Sequence, residues 1–153
     1  MPKEDNKAAA RRVLEAFNTG NTSIIDEIFE QEFRSHTKPF PGVAATRDGL
    51  KDEIRKLREA FPDAQFTETG ISEQGNTVTI NWSMTGTHKA PILGVEPSGE
   101  KVTQTGQEVL EFRGGRISGR RGREEHEEFH QKLQANAARK HGGGGGGGQG
   151  GGR

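Results

Sequence analysis

Cysteine is absent from this 153-residue chain, which removes disulfides, thiolate metal sites and a cysteine nucleophile at once. Net charge is absent too. The 22 Lys plus Arg balance 22 Asp plus Glu, giving no electrostatic reason to expect a nucleic-acid or membrane partner. Long apolar runs are also missing. The N-terminus, MPKEDNKAAARR, lacks the apolar centre of a signal peptide, and no later stretch is long enough to span a bilayer. A soluble, cytoplasmic protein is therefore the default expectation. Apolar residues make up only 28%, but part of that deficit lies in the end of the chain, GGGGGGGQGGGR, which has almost no side chain to bury and a large ordering entropy. The expected organisation is one domain over 1–141 and a disordered glycine-rich tail over 142–153.

What is present has a clear period. Val13, Leu14 and Phe17 share one stripe of a helix predicted over 4–18, with Gly20 as its stop. Thr22 or Ser23 caps a short second helix carrying Ile24, Ile25, Ile28 and Phe29. FRSHTKPFPG (33–42) reads as a brief strand and a loop. Leu50, Ile54, Leu57 and Phe61 recur at helical spacing, predicting a third helix from about Asp48 to Ala60 that ends at Phe61-Pro62-Asp63.

Beyond Pro62 the period changes to two. Ala64 and Phe66 lead into a strand closed by a turn at Gly75-Asn76. Val78, Ile80, Trp82, Met84, Gly86 and His88 then share one face of the next strand, and Thr77, Thr79, Asn81, Ser83, Thr85 and Thr87 the other. A further strand covers about 101–113, Gly114-Gly115 turns it, and a last strand starts at Arg116 before the helix-like EEHEEFHQKLQANAARK. Helices gathered ahead of an antiparallel meander imply an α+β domain, in which one face of a strongly curved sheet packs on the helices and encloses a pocket.

Three segments carry a resemblance: AFPDAQFT (60–67), GTHKAPILGVEPSGEKVTQTG (86–106) and FRGGRI (112–117). The second is similar to a G-T-H-x-G followed by x-x-G-x-x-P-T-G-x-x-V between two long strands, and the third to an F-R-x-x-D-G-K-I turn. With the order of elements, they make residues 8–133 resemble the nuclear transport factor 2-like cone, and within it the SnoaL-like polyketide cyclase or ester cyclase family. The resemblance implies helices on a curved antiparallel sheet around a cavity. It also implies intramolecular aldol ring closure of a polyketide ester, with no metal or organic cofactor. The expected partners are a small hydrophobic molecule in the cavity and a second copy bound through the sheet. In the resemblance the 86–99 connection covers the open end of the cone. Read from its residues, Ile92, Leu93 and Val95 offer apolar contact either to a ligand, as a lid, or to a neighbouring chain.

A carbon acid between carbonyls needs one positioned base in a dry pocket, and its enolate oxygen needs a nearby donor. His88 shares its strand face with Val78, Ile80, Trp82 and Met84 and matches the histidine of G-T-H, so it is a candidate polariser or proton shuttle; the plainer reading is a strand-end histidine bonded to backbone or water. Glu108 falls on the more apolar face with Val102, Gln104, Gly106, Leu110 and Phe112, as a cavity carboxylate or a solvated one. By family position, counting from Ile117, the catalytic acid falls at Glu125, or at Glu124 after a one-residue slip. SGRRGREEHEE, which includes Arg121 where the family has an apolar or aromatic residue, reads otherwise as a solvated charge run. Trp82, Gln104 and Leu93 are candidate substrate contacts, and Arg34 and His36 could hold an ester or carboxylate at the cavity mouth.

Two other patterns are weaker. His126 and His130 stand in a literal H-E-x-x-H, but a third metal ligand is missing and the setting is a charge run, so no metal is expected. Arg113-Gly114-Gly115-Arg116 and Arg120-Arg121-Gly122-Arg123 could touch RNA phosphates, yet interleaved aromatics are lacking and glutamates follow at once, leaving nucleic acid an unlikely partner.

Overall fold

The computed structural model describes residues 4–36, 42–122 and 125–141. The helices come first, as the periods predict: α1 (Glu4–Thr19), α2 (Ser23–Ile28) and α3 (Arg47–Ala60), with the strand β1 (Phe29–Ser35) between α2 and α3. Gly20 ends α1 in the left-handed conformation (φ 77°), its N–H returning to the Ala16 carbonyl at 2.8 Å. Thr46 caps α3 by accepting the Gly49 N–H. The strand β1 starts four residues earlier than its sequence suggests. Phe29, expected on the second helix, opens the strand instead, buried and edge-on to Phe33 at 4.8 Å.

Four more strands follow: β2 (Gln65–Gln74), β3 (Thr77–Thr87), β4 (Lys101–Arg113) and β5 (Arg116–Gly122), before the closing helix α4 (Glu125–His141). They form one sheet in the order β1-β5-β4-β3-β2. The meander β2–β5 is antiparallel, and β1 joins its edge parallel to β5. Burial along β4 alternates as the period-two reading requires, with Val102, Gln104, Gly106, Leu110 and Phe112 covered. That face packs against α1, α3 and α4, joining Phe17, Leu50, Ile54, Phe61, Phe129 and Leu133 into one core. No helix among the described residues is long and apolar enough to cross a membrane. The glycine-rich tail lies outside the described residues.

Candidate active site

The register orders the inner face of the sheet into rows. Val78 lies opposite Leu110, which faces Arg120 of β5; Ile80 lies opposite Glu108; Trp82 opposite Gly106; Met84 opposite Gln104; Gly86 opposite Val102. Arg120 belongs to this face only because of an irregularity. The β4–β5 register shifts between Glu111 and Phe112, so that Ile117 pairs with Phe112 while Gly119 pairs with Glu111. Ile117 and Arg120 therefore face inward although their numbers differ by an odd step. The charge of SGRRGREEHEE puts Arg120 in a run that reads as solvated; the bulge turns it into the core.

Three charges meet there. The Arg120 guanidinium donates to both oxygens of Glu108, from Nε at 2.5 Å and from Nη2 at 3.1 Å. Its Nη1 faces Glu53 Oε1 at 3.6 Å. Burial alone would lower the arginine pKa, but the charges of Glu108 and Glu53 outweigh it and the net shift is upward, so this arginine stays cationic. The side chains keep small exposures of 19% for Arg120, 13% for Glu108 and 11% for Glu53, so the cluster is desolvated but not sealed. Glu108 thus occupies the inner face its alternation predicts, with both carboxylate oxygens engaged by Arg120. Glu53 comes from the buried face of α3. Its signal was legible: it sits three residues after Leu50 and four before Leu57, a glutamate on the apolar stripe.

Beside this cluster lies Trp82. Its indole covers Gly106 so closely that a Cβ there would stand 2.1 Å from the ring, which explains the glycine in a mid-strand position. Trp82 also meets Phe66 at 5.6 Å between ring centroids and remains half-buried on the inner face. Gln104, one row further, is buried; its amide donates to the Thr105 carbonyl and to Glu128 Oε1 of α4, while its own Oε1 has no partner among the described residues.

His88 belongs to another place. It is fully buried, stacked on Phe61 at 5.3 Å, and Phe61 in turn meets Phe129 of α4 at 5.6 Å. It lies eight residues beyond Ile80, the residue opposite Glu108, so about 26 Å of extended chain separates the two rows. The segments AFPD and GTH meet here. Asp63 accepts the Thr87 N–H and the Thr87 hydroxyl, both at 2.8 Å, and the Lys89 N–H donates to the Ala60 carbonyl. Those two bonds from Thr87, backbone first, hold the Asp63 carboxyl below its ordinary range. Neither His88 ring nitrogen makes a hydrogen bond among the described residues. Burial pushes its pKa down, and the nearby Ala90 backbone and Glu96 carboxylate offset this only in part. The structure therefore does not bring His88 to Glu108.

The remaining candidates disperse. Arg34 is exposed and donates to the Phe33 carbonyl, and His36 is exposed with Nε2 at 3.2 Å from Glu111, whose position in the strand alternates to the outer face. Leu93 sits half-buried with φ 54° in a tight turn with Gly94, between Ile92 and Val95, whose N–H groups reach each other's carbonyls. Of the apolar members of that loop, Ile92 and Val95 are buried within the chain and Leu93 is half-buried. Residues Gly94–Pro97 and Gln134, Ala137 and Ala138 of α4 border an open recess of about 700 Å³. Glu125 is the first residue of α4, three positions past Gly122, which pairs with Glu108; its side chain, that of His126, and all of Glu124 and Arg123 lie outside the described residues. The described arginines of the Arg-Gly segments are engaged: Arg113 with Glu30, Arg116 with the Asp26 and Phe29 carbonyls, Arg120 with Glu108 and Arg121 with Glu111.

Comparison with known proteins adds to this geometry. A family model described as SnoaL-like polyketide cyclase matches residues 7–133. Aklanonic acid methyl ester cyclase AcmA of Streptomyces galilaeus is 26% identical over 116 residues, which cover 72% of this chain and 77% of that protein. Among solved structures, TsrD of Streptomyces laurentii is similar with a TM-score of 0.77 and 19% identity, over 88% of this chain and 98% of its own. A SnoaL-like polyketide cyclase of Agrobacterium tumefaciens reaches 0.64 with 14% identity, over 77% and 89%. Both structures are likenesses of fold.

Proposed function

The chain belongs to the SnoaL-like polyketide cyclase family, and on that premise we propose that it closes a ring within a polyketide ester by an intramolecular aldol reaction, run by carboxylate acid/base chemistry on the inner face of the sheet. The observation that carries this reading is the Glu53–Arg120–Glu108 cluster, desolvated yet reachable, beside a half-buried Trp82. The flat indole suits an aromatic polyketide, and the ester of the AcmA name supplies the substrate class.

The chemistry is balanced without any change of oxidation state overall. A carboxylate removes the proton from a carbon flanked by two carbonyls, leaving an enolate. The enolate carbon attacks a ketone carbon of the same molecule, forming the ring bond. The resulting alkoxide takes the proton back from the carboxylic acid. A fixed guanidinium in a poorly solvated site stabilises the enolate oxygen more than the neutral ester, which is the condition for acceleration. Holding donor and acceptor carbons of one chain against Trp82 supplies the orientation.

Incubation with aklanonic acid methyl ester tests the proposal. The expected result is its conversion to a product of unchanged mass with one ketone lost. Recovery of unreacted ester, together with quenching of Trp82 fluorescence on mixing, would replace the cyclase with a non-catalytic binding protein of the same fold.

A further inference from the structure

We propose that α4 is a lid: it lifts from the sheet to admit a small apolar molecule to the inner face and closes again over it. The proposal concerns entry and does not depend on which reaction follows. Along its 17 residues α4 is held by little. Among its described side chains only Phe129 and Leu133 are large, apolar and buried, and the next buried member of that stripe is Asn136. Its polar ties are ones that water can replace. Lys132 Nζ donates to the Thr103 carbonyl at 2.6 Å and Glu128 accepts from Gln104, and both α4 residues are exposed. Beside the last turns, the open recess of about 700 Å³ lies between Gln134, Ala137 and Ala138 and the loop Gly94–Pro97, so the helix is not wedged against that loop.

What lies under α4 favours opening further. The Gln104 amide donates to the Thr105 carbonyl at 3.0 Å and to Glu128 Oε1 at 3.1 Å. Reversing the amide would set its oxygen against those two acceptors. Oε1 is therefore fixed on the other side, buried and without a partner among the described residues. Lifting Glu128 away lets water reach the whole amide, and the oxygen gains the bond that closure denies it. Phe129 meets Phe61, which itself stacks on His88, a second buried side chain whose ring nitrogens have no partner among the described residues. Gln104 is followed on the same face of β4 by Gly106, under the Trp82 indole, so the opening uncovers the flank of that ring.

Amide hydrogen exchange of the wild-type protein, followed by NMR across a urea series, reads the lid without a ligand. The amides of Phe129, Leu133 and Asn136 are expected to share one opening whose extent hardly depends on urea. Those of Ile80 and Leu110 are expected to exchange only by global unfolding, with its full urea dependence. Gln104→Met removes the unpaired oxygen and should slow the α4 amides about tenfold; an unchanged rate would overturn the part given to that oxygen. Exchange that climbs steadily from Phe129 towards His141 is end fraying and overturns the lid, as does an α4 that exchanges only together with Ile80 and Leu110.

Entry is read with a tether. The chain has no cysteine, so Gln104→Cys with Glu128→Cys supplies its only two thiols, and a short bis-methanethiosulfonate joins them reversibly. In stopped-flow mixing with 1-aminoanthracene, the tethered protein is expected to take up the dye at least about tenfold more slowly than the untethered one, with dithiothreitol restoring the rate. An equal rate with the tether in place, or no uptake by the untethered protein and the wild type, overturns α4 as the route. Turnover of aklanonic acid methyl ester is followed apart: a tether that slows uptake in a protein that closes no ring keeps the lid and overturns the cyclase.

Discussion

The two ends of the inner sheet face are built from opposite materials. At one end, Glu53, Arg120 and Glu108 keep charge in a partly open interior. At the other, Phe61, His88 and Phe129 form a closed stack, with Asp63 and Thr87 pinning the chain around it. The resemblance to a family is carried most visibly by the second end, in AFPD and GTH. The ionisable groups on which the proposed chemistry draws lie at the first. Motif strength and buried charge thus separate in this chain: the recognisable segments fix a joint between α3, β3 and α4, and the charged group lies where a bulge hides it.

Four substitutions sharpen that contrast. Arg120→Met removes the guanidinium that pairs with Glu108 and Glu53 in a poorly solvated place, and should cost about 3 kcal/mol in urea unfolding at neutral pH. The defect should shrink in acid, where a proton can take the place of the guanidinium; a loss that does not change with pH would mean that packing, and not charge, is what Arg120 supplies. Gly106→Ala drives a methyl group into the Trp82 ring that separates the two ends. It should cost about 1–3 kcal/mol and shift the emission of this single tryptophan. Unchanged emission would show that the indole does not rest on Gly106 in solution.

Much of this was legible beforehand. The order of elements, the Gly20 stop, the inward face of β4 and the inward position of Glu108 all follow from period and from turn residues. Arg120 was not legible, since alternation counted from Ile117 points it outward and a single bulge between Glu111 and Phe112 reverses that. Glu53 was open to view as a charge on the α3 stripe, where the run of Leu50, Ile54 and Leu57 draws attention to itself first. His88 was placed on the correct face, but a shared face is not a shared site: a strand eight residues longer spans most of a small domain. The early start of β1 reflects Phe29, whose burial against Phe33 suits a strand as well as it suits a helix.

The smaller effects belong to the closed end. His88 has a depressed folded pKa, so its unfolded form binds a proton first as pH falls below 6.5, and stability drops from there down to the folded value. His88→Phe keeps an aromatic ring on Phe61 and removes that titration. The variant should match the wild type near neutrality and exceed it by on the order of 1 kcal/mol at about pH 5.5. Equal acid sensitivity would mean that His88 finds a proton-accepting partner in solution. Asp63→Asn should act least, at under about 1 kcal/mol, because the amide oxygen still accepts one bond from Thr87. The sign is the usual carboxylate one: the depressed Asp63 pKa stabilises above its unfolded value, and that contribution fades as pH falls through the folded value. The variant should therefore lose a small part of the wild type's acid dependence in thermal unfolding, and a fully preserved dependence would place the relevant carboxylate elsewhere.

Where the substrate lies decides between the two ends most directly. Titrating isotopically labelled protein with aklanonic acid methyl ester and following its amide resonances should move Trp82, Gly106, Glu108 and Arg120 first, while Phe61 and His88 hold their positions. Shifts confined to Phe61, His88 and their neighbours, with the Arg120 row unmoved, would contradict the account.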